Sequence, residues 1–378
     1  MIREKGKNTA ASIRARLLAL AQSKGEDYQR VLGRYAIERF LYRLGRSPYR
    51  DKFALKGAAL FTLWTGHTHR PTKDLDLLGR GSSIIGEVEQ TIRAICEIQE
   101  EDGLVFDSES VEGTKIKDDD EYDGVRIKLH AELAGARIPM QIDIGFGDAV
   151  YPEPELASFP VLLPMEAPLI RAYPREASIA EKFHAMVVLD IRNSRMKDFY
   201  DIWFMANTWT FDMASLCNAI LASFERRRSA IPTGIPLALK DDFLNDPRKK
   251  QQWIAFVSRL NPADKAPSLE EVGAILRTFL LPCISDDSLT KAEIRSWTPN
   301  QGWSRATRKH RAAGKKAART RKLRAAGKKA ALTKKRRAAG RKAAATRKLK
   351  KEQSAPAPAT PEPEAQVVTQ PQIGDVQQ

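Results

Sequence analysis

The chain has 378 residues, 42% of them hydrophobic, with 63 Lys and Arg against 47 Asp and Glu. That apolar content can build a large core, no apolar run is long enough to span a bilayer, and Cys96, Cys217 and Cys283 give neither a disulfide framework nor zinc-site spacing. The net charge of +16 is local: residues 305–351 hold 22 of the basic residues and no acidic one, which leaves 41 basic against 47 acidic, or −6, elsewhere.

The N-terminus is charged and opens an amphipathic pattern rather than an apolar signal core, so the expectation is a cytoplasmic protein with no membrane partner. Residues 9–22 read as a helix with Ile13, Leu17, Leu18 and Leu20 apolar, and 26–45 as a second with Val31, Tyr35, Ile37, Phe40 and Leu41 in a buried stripe. From Phe53 to Phe61 an apolar extended run passes through the small residues Gly57, Ala58 and Ala59 into a helical pattern. Such a turn offers backbone N–H groups to a phosphate. In Arg70-Pro71-Thr72-Lys73-Asp74-Leu75-Asp76-Leu77-Leu78, strand periodicity puts Asp74 and Asp76 on one face and Leu75 and Leu77 on the other. Two carboxylates at i, i+2 begin a site for a hard cation such as Mg²⁺, which takes oxygen ligands and shares its shell with water and phosphate. A lone Asp-x-Asp is more often a solvated strand face.

A helix is expected at 83–98, followed by strands over 104–150. There Val125, Ile127, Leu129 and Ala131 alternate with polar residues, as do Ile138, Met140, Ile142 and Ile144, which leaves Asp143 on a polar strand face. The acidic run 118–121 reads as a solvated turn. Helical patterns follow at 177–191, 195–206, 211–226, 247–260 and 269–281. Strands followed by helices indicate an α+β fold with a helical domain behind it. Residues 298–303 read as the start of a linker. The basic segment then repeats Arg311-Ala312-Ala313-Gly314-Lys315-Lys316-Ala317-Ala318 with a thirteen-residue period, at Arg324 and again at Arg337. It has almost no apolar bulk, so disorder is expected there and in the Pro- and Gln-rich end.

The order Leu-Lys-Gly-small-small-Leu, then Arg-x-Thr-x-Asp-Leu-Asp-Leu, resembles the nucleotidyltransferases of the AbiEii/AbiGii toxin family, which includes MenT-like type IV toxins. Gln141-Ile142-Asp143, Glu181-Lys182-Phe183-His184-Ala185 and Arg195-Met196-Lys197-Asp198-Phe199-Tyr200-Asp201-Ile202 continue the match in order. The chain departs from the family in carrying Ala58 where a second glycine is usual. The resemblance implies a nucleotidyltransferase-like mixed sheet with flanking helices. Together with the shifts in composition, it divides the chain into N-terminal helices (1–50), a catalytic core (51–170), a helical domain completing the site (171–297), a basic tail (298–352) and a disordered terminal segment (353–378).

The chemistry it implies is Mg²⁺-dependent nucleotide transfer from an NTP to RNA, with tRNA the acceptor of MenT-like members and an antitoxin as protein partner. Asp74, Asp76 and Asp143 would hold the metal. Lys56, Gly57, Ala58, Arg70 and Lys182 would meet the nucleotide, although Arg70 reads equally well as surface packing. Asp198 would orient Lys182 or take part in proton transfer, and Asp201 would pair with a basic side chain. The tail would hold nucleic acid. Two other readings compete: a catalytically silent nucleotidyltransferase-like body that binds nucleic acid, and a small-molecule nucleotidyltransferase.

Overall fold

Helix punctuation in the sequence is used as local chemistry dictates. The computed structural model describes residues 2–67, 69–70, 72, 74–116, 124–260, 267–285 and 295–305; the acidic run 118–121, the thirteen-residue repeats and the segment 353–378 lie outside them. Helix α1 (Ile2–Lys24) buries Ala10, Ile13, Leu17 and Ala21, one stripe at helical spacing. Helix α2 (Tyr28–Arg46) starts at Asp27, whose side chain accepts from the Arg30 amide and satisfies one of the open N–H groups. There follow β1 (Phe53–Lys56), α3 (Ala59–Thr65), β2 (Asp74–Gly79), α4 (Ile85–Cys96), β3 (Leu104–Lys115), β4 (Gly124–Leu133) and β5 (Ala136–Phe146). Two short strands, β6 (Glu155–Ser158) and β7 (Leu169–Ala172), precede α5 (Arg175–Leu189) and α6 (Met196–Thr208). After β8 (Phe211–Asp212) come α7 (Met213–Arg226), α8 (Asp241–Leu244), α9 (Pro247–Val257), α10 (Leu269–Leu280), β9 (Arg295–Thr298) and β10 (Gly302–Arg305).

Seven strands form one mixed sheet in the order β3-β4-β5-β2-β1-β7-β6, with β2–β5 and β1–β7 parallel and the remaining neighbours antiparallel. The alternation read from sequence is the burial pattern: Val125, Ile127, Leu129 and Ala131 of β4 and Ile138, Met140, Ile142 and Ile144 of β5 are buried. The core of the sheet and N-terminal helices is one apolar cluster, and α5 to α10 enclose a second. Met1–Ala306 is a single compact unit, and Thr307–Gln378 is divided from it. The α+β architecture is therefore as expected.

One local expectation is corrected. Residues 298–303 do not begin a linker: β9 and β10 pair as an antiparallel hairpin, and β9 also pairs with β8. The tryptophans decide this. Trp297 donates its indole N–H to the Ala206 carbonyl at 2.7 Å and Trp303 donates to Phe279 at 3.0 Å. The Trp303 ring stacks on Phe279 with centroids 5.8 Å apart. Strands β6 and β7 had no counterpart in the sequence reading: at four residues each they are too short to establish a period, and β6 buries none of its residues.

Candidate active site

One rung of the large sheet carries four charged side chains. Antiparallel pairing sets Lys56 of β1 opposite Asp76 of β2, parallel pairing sets Asp76 beside Asp143 of β5, and antiparallel pairing sets Asp143 opposite Arg126 of β4. Side chains directly across a ladder project from the same face. The order along the rung is therefore cation, carboxylate, carboxylate, cation. All four line a cavity of about 480 Å³. Leu75 and Leu77 point the other way and are fully buried, which fixes the register of the acidic face.

The two carboxylates differ. Asp143 accepts both ends of the Arg126 guanidinium, at 2.9 and 2.8 Å. The Asp76 side chain has no hydrogen bond or ion pair among the described residues. Burial raises its carboxyl above the usual range; Lys56 opposes that shift and Asp143 adds to it. Gly57 has φ +71°, and a Cβ there would lie 1.9 Å from Asp76 Oδ2. The turn after β1 thus passes beside the carboxylate only as glycine. Ala58, by contrast, has φ −68°, an ordinary helical value, so its backbone makes no demand for a second glycine.

Lys56 does not face the cavity as a free cation. Its Nζ lies 2.9 Å from Asp148 and 3.8 Å from Glu181, and Arg227 reaches the same two acids at 3.0 and 3.7 Å. Burial works against the charge on Lys56, but Glu181 and Asp148 outweigh it and its pKa is raised. Asp148 and Arg227 follow from no motif. Glu181 was adjacent to a matched lysine, and its place on the cavity face of α5, with Ser178 and Ala185, follows from helical spacing.

Helices α5 and α6 supply a second ion network. Lys182 Nζ lies 3.1 Å from Asp198 and 2.8 Å from Asp201. Arg70 donates to both oxygens of Asp201, at 3.0 and 3.1 Å, and Arg195 donates to Asp198 at 2.7 Å. His69, stacked between Phe61 and Tyr200, places Nε2 3.4 Å from Asp201. Burial would raise both aspartates, but Lys182 leads the cations that hold them down, Asp201 well below the usual range. Arg70 and Lys182, expected at phosphate, thus line the cavity already paired with carboxylates. Asp198 is placed to orient Lys182, and Asp201 holds Arg70 as well.

Lys197 differs from its neighbours: it lines the cavity and has no ion partner among the described residues. Its side chain is exposed by area, yet protein crowds the ammonium. That crowding comes first in lowering its pKa; Asp198 opposes it, and Arg195, Arg70 and Lys182 reinforce it.

A cation fits Asp76, a half-buried carboxylate whose side chain has no partner among the described residues and which has a second carboxylate beside it. The expected trio is not assembled, however. Among the described residues no group of three or more His, Cys, Asp and Glu is arranged to hold a metal. Asp74 shares the face of β2, but its ladder partner is Gln141 and it is not one of the residues lining the cavity. Two residues along a strand is roughly 6–7 Å, enough to carry a short side chain out of the pocket.

The family model described as nucleotidyl transferase AbiEii toxin, type IV toxin–antitoxin system, matches residues 39–275. No curated protein matches the chain. Among solved structures, the MenT4 nucleotidyltransferase toxin of Mycobacterium tuberculosis H37Rv is 17% identical, with a TM-score of 0.49 over 70% of this chain and 89% of that one. JHP933 of Helicobacter pylori is 16% identical, with a TM-score of 0.36 over 63% of this chain and 84% of that one.

Proposed function

Because the chain belongs to the AbiEii nucleotidyltransferase toxin family of type IV toxin–antitoxin systems, we propose that it transfers a nucleotide from an NTP to an RNA acceptor with Mg²⁺, and that a cognate antitoxin restrains it. The observation that carries this reading is the rung Lys56-Asp76-Asp143-Arg126 at the floor of the cavity. Adjacent carboxylates of which one is unpartnered form a metal-binding floor, and the cations at either end keep that floor from repelling a triphosphate.

In the transfer the acceptor hydroxyl oxygen forms a bond to the α-phosphorus, the bond to the β-phosphate oxygen breaks, and pyrophosphate leaves. The hydroxyl proton passes to water. A bound divalent ion would neutralise triphosphate charge and lower the cost of that departure. Asp76 and Asp143 would hold it, and Asp74 would add negative charge on the same strand face. Gly57 keeps Asp76 in place, and the Gly57–Ala58 turn edges the phosphate side of the cavity. Lys197 is the cation with charge to spare for phosphate oxygens. Lys182 and Arg70, fixed by Asp198 and Asp201, present a rigid positive wall that needs no reorganisation as charge develops.

Purified protein incubated with labelled NTPs and total RNA, with and without Mg²⁺, tests this. Label is expected in RNA only when Mg²⁺ is present. Absence of label in RNA under every NTP removes the proposal, and label in a small molecule instead moves it to another acceptor class.

A further inference from the structure

Past the wall formed by Arg70, Arg195 and Lys197 lies a second hollow of about 500 Å³, between the start of α6 and the outer face of α9. Those three residues line both spaces. Among the described residues, the charged side chains around the second hollow are all basic, Arg259 being the fourth, and no carboxylate lines it. Arg70 and Arg195 are held by aspartates, whereas Lys197 and Arg259 have no ion partner among the described residues. Among the described residues the hollow therefore carries positive charge with no carboxylate in its lining, whereas five carboxylates line the cavity beside it.

Two further features describe what would fit. Among the described residues the buried Gln252 Oε1 atom has no hydrogen-bond partner, which leaves it an acceptor for a hydroxyl or amino donor. Phe256, half-buried, lines the hollow and is braced edge-on by Tyr200 at 5.6 Å. Cations for phosphate, an acceptor for a 2′-hydroxyl or base amino group, and an aromatic surface are what single-stranded RNA requires.

We propose that this hollow seats the 3′ end of the RNA acceptor, so that its terminal hydroxyl reaches the first cavity past Lys197. This rests on the nucleotidyl-transfer reading for what happens next, but not for the binding itself. Arg259 contacts a phosphate of the penultimate nucleotides, Phe256 offers a face to a base, and Gln252 accepts from ribose or base.

The test uses the full chain and a short single-stranded RNA with 4-thiouridine near its 3′ end, photo-crosslinked and mapped by mass spectrometry. Crosslinks are expected in residues 252–259 and should be lost in Arg259→Glu. In steady-state transfer, Arg259→Glu should raise the RNA KM roughly tenfold, the size of a lost phosphate contact, with the NTP KM unchanged and Arg259→Lys close to wild type. Crosslinks confined to other peptides overturn the proposal, as does an RNA KM in Arg259→Glu within about twofold of wild type. If wild type crosslinks here but transfers nothing, the hollow stands and the transfer reading falls; if it transfers but crosslinks elsewhere, the reverse holds.

Discussion

Asp76 is the residue on which the site turns, and its environment makes an unusual prediction. Its ionised form is disfavoured by burial and by Asp143, so removing the charge removes a cost to folding. Asp76→Asn should abolish transfer while leaving the melting temperature unchanged or higher. Transfer within about threefold of wild type would sink its role in holding metal, because a lost transition-state contact costs far more than that. Glu38, away from the site, reports on folding instead. It is 1% exposed, and its Oε2 accepts from the Leu162 amide at 2.7 Å. Burial pushes its carboxyl up to about 7 from an ordinary 4.5, against the pull of that amide. The folded state therefore binds the proton more tightly than the unfolded chain. Its contribution to stability is complete below pH 4.5 and is lost as pH rises to 7. Glu38→Gln keeps the acceptor for Leu162 and should flatten that decline, gaining about 2–3 kcal/mol relative to wild type at pH 8 and nothing near pH 4. Urea midpoints at the two pH values check it, and a gain equal at both would refute the assignment.

At the scale of elements, Asp201 ties three segments together. Arg70 comes from the approach to β2, Lys182 from α5, and Asp201 from α6. Removing one partner of a buried ion cluster leaves the others desolvated and unpaired. Asp201→Ala should cost about 3–5 kcal/mol in stability and lower transfer together with it. Lys182→Ala should cost roughly a hundredfold in activity beyond any loss of fold, if the wall it forms stabilises the transition state. Melting curves run alongside the kinetics separate the two: activity lost only in proportion to unfolded protein makes Lys182 structural. The i, i+3 placement of Asp198 and Asp201 was visible in sequence and put them on one helix face. The pairing of Asp198 with Lys182 was expected, but that Asp201 would hold both Lys182 and Arg70 was not visible, since each partner sits on another element. The hairpin β9–β10 was missed for a related reason: its strands are held by tryptophans docking on Ala206 and Phe279, contacts remote in sequence.

For the whole molecule the charge distribution matters most. The basic segment has no acidic partner within itself and no aromatic residue to stack on bases, so its attraction for nucleic acid should be nearly independent of sequence. Deleting residues 307–378 spares β10, which ends at Arg305. That truncation should weaken RNA affinity strongly and flatten its salt dependence, each lost phosphate contact removing roughly 0.7 from the log–log slope. Turnover on a saturating short acceptor should hold, because the cavity is lined by residues before 228. Equal affinity and equal slope for both proteins would reject an anchoring role.

The sequence by itself determined what periodicity and local chemistry encode. Alternation gave β2, β4 and β5 and the inward side of each, helical spacing gave α1, α2, α4 to α7, α9 and α10, and the resemblance led to the family. Asp76 was singled out by its strand face, and Asp143, Lys182 and Asp198 through the resemblance; all four line the cavity. The tertiary structure decided which of them meet. Strand order set Asp76 beside Asp143 and Lys56 opposite it, left Asp74 outside the cavity, and gave Lys56 to Asp148 and Glu181. Pairing between charges depends on distances of a few ångströms across elements far apart in the chain, and no local pattern carries those distances.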